Sequence, residues 1–326
     1  MKKLSQDFLD TFADLTDNPV QEGAIVAHEL PGRSNVFVGK DFSGDMLVLF
    51  ADSESKVLPT KKFKNLRIEY SARYEIEISG NVVGKDFTLL KLLSADHAMK
   101  EAFCTLVATF VHSLPQEPTT SEVRASVDRI VELFLASPDV SKSAIVGLWG
   151  ELAFISNAED PNHIAQAWHV LPTAKSDFSL SSHFVEVKTT DGNERVHSLR
   201  LHQLTQPEKP IFFASVKLTP DTAGKNLLEL LTECIAKLTP INQQHVIEVF
   251  FKTIGTNLEE TENYRFTLLG GADEIMIFNA IDLPRPEIPA NQASTAIGKV
   301  SFELNFDTLI SLGVSHVSSR VFSAHS

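Results

Sequence analysis

The stretch DFSLSSHFVEVKTT, residues 177–190, decides how this chain is read. It reads as two short strands joined at Ser181-Ser182. Phe178, Leu180, Val185 and Val187 supply an alternating apolar pattern, yet Asp177, Glu186 and Lys188 are interleaved with them. With Ser181-Ser182 as the loop, Leu180 faces His183, Ser179 faces Phe184, Phe178 faces Val185 and Asp177 faces Glu186. Directly opposed residues have Cβ atoms about 4.5–5.5 Å apart. The two-residue period of a strand puts Lys188 on the side of Glu186. The hairpin therefore has one apolar face and one face that gathers two acids and a lysine. Ser-Ser is not the Asn-Gly type of loop that two-residue hairpins favour. A four-residue loop keeps the same pairing, whereas a three-residue loop shifts it to a diagonal neighbour.

Two carboxylates so close repel each other when both are ionised. A divalent cation between them resolves the conflict, and hard oxygen ligands with open positions suit Mg²⁺ or Mn²⁺. The adjacent lysine can stabilise an attacking hydroxide or the charge that builds on a phosphoryl group. This is the minimum equipment for metal-assisted phosphodiester hydrolysis. The competing reading is an exposed Glu186–Lys188 ion pair of small energetic value. A second such triplet, Glu54-Ser55-Lys56 with Asp52 nearby, lies in the polar turn ADSESK and reads as solvated surface. The facing Asp177 and the apolar strand are what favour a site at residues 177–188.

The rest of the chain sets the frame. Its 326 residues, 43% hydrophobic, are enough for a real core and suggest two domains or one elaborated domain. No run of eighteen apolar residues occurs, so no membrane span is expected. MKKLSQDFLDTFADL lacks the apolar segment and cleavage site of a secretory signal. Its spacing predicts an amphipathic helix. Cys104 and Cys234 are too few and too far apart for a disulfide framework or a cysteine zinc site, which suits a reducing cytoplasm. The net charge of -13 does not announce a nucleic-acid binder, although a local basic patch suffices for one.

Residues 22–93 read as β-rich, with strands in GAIVAHEL, NVFVGKD, DMLVLFADS, NLRIEYSARYEIEIS and FTLLKLLS. A helix over 95–114 closes this part, and the proline-bearing LPQEPTTSE suggests a domain boundary at 117/118. Helices are expected over 121–136 and 141–157, then a strand in AWHVL, the hairpin, and strands in RVHSLRL and IFFASVKL. KNLLELLTECIAKL and NQQHVIEVFFKTI read as helices. YRFTLLGG, EIMIFNAI and KVSFELNF read as strands, with DTLISLG as a closing helix. This order predicts an α/β (α+β) class, a mixed sheet flanked by helices.

Several side chains compete for functional roles. Glu151 sits in IVGLWGELAFI, a helix apolar on nearly every side, where a charge is costly unless it is paired or holds metal. A lysine or arginine partner would explain it equally well. Gly147 and Gly150 would let this helix approach the sheet closely. Thr189 and Thr190 could position water or phosphate, or merely end a strand. His197 and His202 are weak candidates for bases, and Trp168 reads as core. Lys56, Lys61, Lys62, Lys64 and Arg67 form a basic stretch that could follow a phosphate backbone or be a solvated loop. Arg195 and Arg200 lie nearer the hairpin in sequence and could meet phosphates.

These residues resemble the PD-(D/E)XK nuclease superfamily, the restriction-endonuclease-like fold. Asp177 matches the motif aspartate, and Glu186-Val187-Lys188 matches the (D/E)XK triplet. GLWGELAFI, AWHVLPTAKSDFSL, FVEVKTT and LHQL are similar to a bacterial subfamily found in restriction-type gene clusters. The sharp likeness covers about residues 141–206. Ser176 stands where the motif's name has proline, and the gap from Asp177 to Glu186 is short. The resemblance implies a Mg²⁺- or Mn²⁺-dependent DNA endonuclease of the bacterial cytoplasm, acting in restriction or phage defence. It would leave 5′-phosphate and 3′-hydroxyl ends. Asp177 and Glu186 would hold metal, with the Val187 carbonyl and with Glu151 as an extra ligand. Lys188 would stabilise the nucleophile or transition state, and Gln203 would orient the site. Partners implied are DNA, other subunits of a defence system, and a second copy of the chain. The rival expectation is a catalytically silent DNA-binding or scaffold subunit, and an RNA substrate stays open.

Overall fold

Alternating apolar residues between positions 25 and 92 build a sheet that closes on itself. The structure is a computed structural model that describes residues 2–15, 23–52, 58–78, 81–135, 140–169, 176–204, 209–255, 258–268, 275–286 and 300–312. It divides into two units: 1–138 with 254–258, and 139–253 with 259–326.

In the first unit α1 (Lys2–Ala13) precedes β1 (Ile25–Leu30), β2 (Arg33–Asp41), β3 (Met46–Ala51), β4 (Leu58–Lys62), β5 (Leu66–Ile78) and β6 (Asn81–Leu92). The strand order is β1-β2-β3-β6-β5-β4, and β5 also pairs in parallel with β1 through Ile25↔Ile76 and Val26↔Glu77. Five strands thus form a closed barrel, and β4 lies outside the closure, paired only with β5 among the described residues. Ile25, Phe37, Leu47, Leu49, Ile76, Phe87 and Leu89 fill the barrel. β5 is long enough to serve both neighbours because it bends at Ser71, whose φ is +47°. The register with β6 shifts at that point, between Glu69 and Ala72. β4 falls within the basic stretch and was not expected as a strand; few of its side chains are apolar, so it carries no alternating signal.

Two helices complete this unit, α2 (His97–Ser113) and α3 (Thr120–Leu135). Asp128 of α3 accepts hydrogen bonds from Tyr70 Oη at 2.6 Å and Lys61 Nζ at 2.9 Å. Phe134 of α3 meets Phe103 of α2 edge-on at 5.9 Å. These contacts tie α3 to the barrel unit, so the division falls after Pro138 rather than in the 115–120 linker.

The second unit begins with α4 (Lys142–Asn157) and α5 (Pro161–Ala167), followed by β7 (Phe178–Ser179), β8 (Phe184–Thr190), β9 (Val196–Arg200), β10 (Ile211–Lys217) and β11 (Thr219–Lys225). Then come α6 (Leu227–Ile235), α7 (Pro240–Ile254), β12 (Phe266–Thr267), β13 (Ile275–Asn279) and β14 (Ser301–Asn305). The central sheet has the order β13-β10-β8-β7, with β8 and β10 parallel and the outer pairs antiparallel. Helix α4 lies against β8, β10, α5 and α6, which explains why it is apolar nearly all round. The α+β class expected from the element order is what the structure shows.

Local differences have local causes. Within AWHVL the described residues 167–169 form no strand, only a single bridge between Trp168 and Phe178, and the rest of the expected strand lies outside the described residues. Ahead of it stands the unexpected α5, started by Pro161 and capped by Asp160, whose side chain accepts from Asn162 N and His163 N. Seven residues are too few to display a helical period. The closing helix is reduced to a 3-10 turn, Phe306–Thr308, capped by Asn305. β11 was also not expected, since TPDTAGK has no apolar alternation. Cys104 and Cys234 are both buried free thiols pushed up to about 12 by burial, so neither is a reactive thiolate. Among the described residues no helix is long and apolar enough to cross a membrane.

Candidate metal centre

The hairpin has the two-residue loop. Phe178 pairs with Val185 and Ser179 with Phe184, and Leu180 N–H donates to His183 O at 3.0 Å. Phe178, Leu180, Val185 and Val187 are all buried. The backbone ladder stops before Asp177, and the Asp177 side chain takes over. Its Oδ2 accepts from Val187 N–H at 2.7 Å, so it projects along the edge of β8 beside Glu186. On the other side Asp177 O accepts from His169 N–H at 2.8 Å. The aspartate is thus held between β8 and the segment that follows α5.

Helix α4 brings the second acid. Ser141 caps it, accepting from Ala144 N–H at 3.2 Å. At Gly150 a Cβ would lie 1.8 Å from Thr189 Oγ1, so only glycine allows the helix this close to β8. Gly147 faces open space and does not serve the approach. The buried Thr189 hydroxyl lies against this helix, with no hydrogen-bond partner among the described residues. Thr190 Oγ1 accepts from Gly192 N–H at 3.1 Å in the turn that follows. Glu151, next to the glycine, accepts from Trp168 Nε1–H at 2.6 Å and sits 3.0 Å from His169 Nε2. Its partners are an indole and an imidazole, not the lysine or arginine of the competing reading.

Glu186 is 6% exposed. Its Oε1 accepts from Lys188 Nζ at 2.8 Å and from Gln203 Nε2 at 2.6 Å. Gln203 Oε1 in turn accepts from Arg200 N–H at 2.9 Å, which holds the amide in place. Burial, then the charges of Glu151 and Glu186, push the Asp177 carboxyl well above the usual carboxylate range. The Val187 N–H and Lys188 pull it the other way without prevailing. One oxygen each from Glu151 and Asp177 and one ring nitrogen of His169 lie within 4.8 Å of one another. Two carboxylates and an imidazole converging where an aspartate resists ionisation form a donor set that fits a divalent cation. His169 was not singled out from the sequence. Its position, eight residues before Asp177, is no motif, and its left-handed φ of +42° is not visible in the sequence.

Other candidates separate clearly. Arg195 is 3% exposed, donates to Ser215 O at 2.9 Å and pairs with Asp307, so it braces β10 instead of reaching for phosphate. His197 is equally buried, 2.7 Å from Ser215 Oγ, and burial with Lys188 and Arg195 nearby lowers it to about 4. Neither is available as surface chemistry. Arg200 and His202 are exposed, and Trp168 is fully buried, with its indole N–H turned to Glu151. In the barrel unit Lys61, Lys62 and Lys64 are exposed, but Lys61 is paired with Asp128, and Arg67 with Glu69. Glu54, Ser55 and Lys56 lie outside the described residues.

No match is found among curated proteins or among solved structures. A family model described as "Putative PD-(D/E)XK family member" (DUF4420) matches residues 11–307, nearly the whole chain and including every residue of the centre. On that match, the chain belongs to this PD-(D/E)XK family.

Proposed function

We propose that this chain is a Mg²⁺- or Mn²⁺-dependent DNA endonuclease working in a restriction or phage-defence system. The observation that carries the reading is the convergence of Glu151, His169 and Asp177 beside the Lys188–Glu186 pair. Glu151 and Asp177 would hold the cation, with Glu186 next to them. Val187 N–H faces the Asp177 side chain, and an extended residue's carbonyl leaves from the same strand edge, so that oxygen is available too. A bound divalent cation supplies Lewis acidity, polarising a phosphoryl oxygen and lowering the pKa of a ligated water. The chain's own residues supply the rest. Lys188, steered by Glu186, presents a positive charge for the oxyanion that develops on phosphorus. Gln203 keeps Glu186 oriented. Trp168 fixes Glu151 from behind, as outer partners of metal ligands commonly do.

A second reading is a catalytically silent DNA-binding or scaffold subunit. The net charge of -13, the buried Arg195 and the paired Lys61 and Arg67 favour dependence on a partner for DNA contact. The test is cleavage of double-stranded DNA, with a parallel RNA arm, by the purified chain alone and with its gene-cluster partners. Each is assayed with Mg²⁺, with Mn²⁺ and with chelator. Cation-dependent DNA cleavage supports the endonuclease. DNA retention without cleavage under every condition supports the silent subunit, and cleavage confined to RNA changes the substrate class.

A further inference from the structure

We propose that His169 is a nitrogen ligand of the centre and makes it select first-row transition ions, Mn²⁺ among them, over Mg²⁺. The inference rests on the metal-dependent reading above and specifies its metal. His169 Nε2 lies 3.0 Å from Glu151 Oε2, and a ring nitrogen of His169 lies within 4.8 Å of an Asp177 carboxylate oxygen.

The ring is held there by the chain on both sides. The backbone N–H of His169 donates to Asp177 O at 2.8 Å, and the residue's φ of +42° is a conformation that a non-glycine residue seldom adopts. The preceding residue, Trp168, is fully buried, with its indole on the same Glu151 oxygen and its carbonyl 2.7 Å from His245 Nε2. Backbone and core thus fix where the imidazole starts, while its side chain keeps 39% exposure and faces solvent beside the two acids. A purely neutralising Glu151–His169 ion pair would need none of this proximity to Asp177.

The choice of ion follows from donor chemistry. Mg²⁺ takes oxygen ligands and retains several waters, so it gains little from an imidazole. First-row transition ions bind mixed nitrogen and oxygen sites more strongly along their series. Two carboxylates and one imidazole make such a mixed site.

The experiment uses the full chain with Mn²⁺ alone as the probe. Pulsed electron paramagnetic resonance reads nitrogen coupling to bound Mn²⁺, and titration reads Mn²⁺ affinity and its displacement by Mg²⁺. Wild type, His169→Ala, His169→Gln and the exposed-site control His202→Ala are compared. The wild type and the control should show histidine-nitrogen coupling, and both His169 variants should lose it. Mn²⁺ affinity should fall at least about tenfold in His169→Ala, the scale on which even outer partners of ligands act, with Mg²⁺ affinity changing less than about threefold. Absent coupling in the wild type, coupling retained without His169, or equal losses for both ions each overturn the inference while leaving the nuclease reading intact. Failure of the wild type to bind either ion overturns both.

Discussion

Gly150 and Thr189 touch so closely that no side chain fits between them: a Cβ on Gly150 would lie 1.8 Å from Thr189 Oγ1 and 2.8 Å from its Cβ. This contact sets how far Glu151 reaches toward Asp177. Gly150→Ala should destabilise the fold by about 1–3 kcal/mol, the usual cost of overpacking. It should also weaken Mn²⁺ binding, because the helix must move. Gly150→Ala with Thr189→Gly should recover much of both losses. Urea denaturation and Mn²⁺ titration check this, and a neutral Gly150→Ala would show that the helix is not seated as described.

Trp168 and Glu151 share the shortest hydrogen bond to that acid, at 2.6 Å. Trp168→Phe keeps most of the buried ring and deletes the N–H. The expected cost is about 1.5–3 kcal/mol, the range for a hydrogen bond to a charged group. Mn²⁺ affinity should drop by roughly tenfold to a hundredfold, as for other outer partners of metal ligands. An unchanged affinity would mean that Glu151 needs no orienting.

Asp177 governs how the cation-free chain responds to pH. Its folded pKa is raised, by burial first and then by Glu151 and Glu186. Below the ordinary aspartate pKa both states carry the proton and nothing is lost. As pH rises toward the folded pKa the unfolded chain releases its proton first, so stability falls through that window. Asp177→Asn removes the loss while still offering an oxygen to Val187 N–H. Without cation, the variant should be more stable than wild type at pH 8 and similar near pH 4. Added Mn²⁺ should raise the melting temperature of the wild type and leave the variant nearly unmoved. A wild type already as stable as the variant at pH 8 without cation would contradict the strained aspartate.

His197 acts in the opposite direction. Burial, then Lys188 and Arg195, lower it from 6.5 to about 4, while Asp307 pulls it upward less strongly. A base with a depressed folded pKa contributes stability above its unfolded pKa, and loses it as pH falls toward the folded value. Stability should therefore decline between about pH 6.5 and pH 4, by up to roughly 3 kcal/mol for full protonation of this group. Nuclear magnetic resonance titration of the His197 ring should give a midpoint near 4. A midpoint near 6.5 would place the ring in water.

Much of this centre was legible because a strand's two-residue period is rigid. Asp177, Glu186, Lys188 and the register about Ser181-Ser182 follow from it. Glu151 stood out as a charge in an apolar helix, and Gly150 as a place for close approach. His169 was not legible, since its role depends on a left-handed backbone angle and on the bridge between Trp168 and Phe178. Arg195 misled for a related reason: an arginine at a strand start looks like surface until the partners Ser215 and Asp307, distant in sequence, are folded around it. The barrel's strands could be read singly. Its closure could not, because the β1–β5 contact joins residues some fifty positions apart.

In the proposed nuclease, Lys188 works on the reaction rather than on the fold or the cation. The direct measurement is single-turnover DNA cleavage at saturating Mn²⁺ by wild type and Lys188→Met, with melting temperature and Mn²⁺ affinity recorded in parallel. The wild type should cleave in a cation-dependent way, and the variant's rate should be lower by at least about a hundredfold, the scale of a lost charge-stabilising group. Folding and Mn²⁺ binding should be retained in that variant. Equal cleavage by the two proteins, or no cation-dependent cleavage by the wild type, would rule out that role.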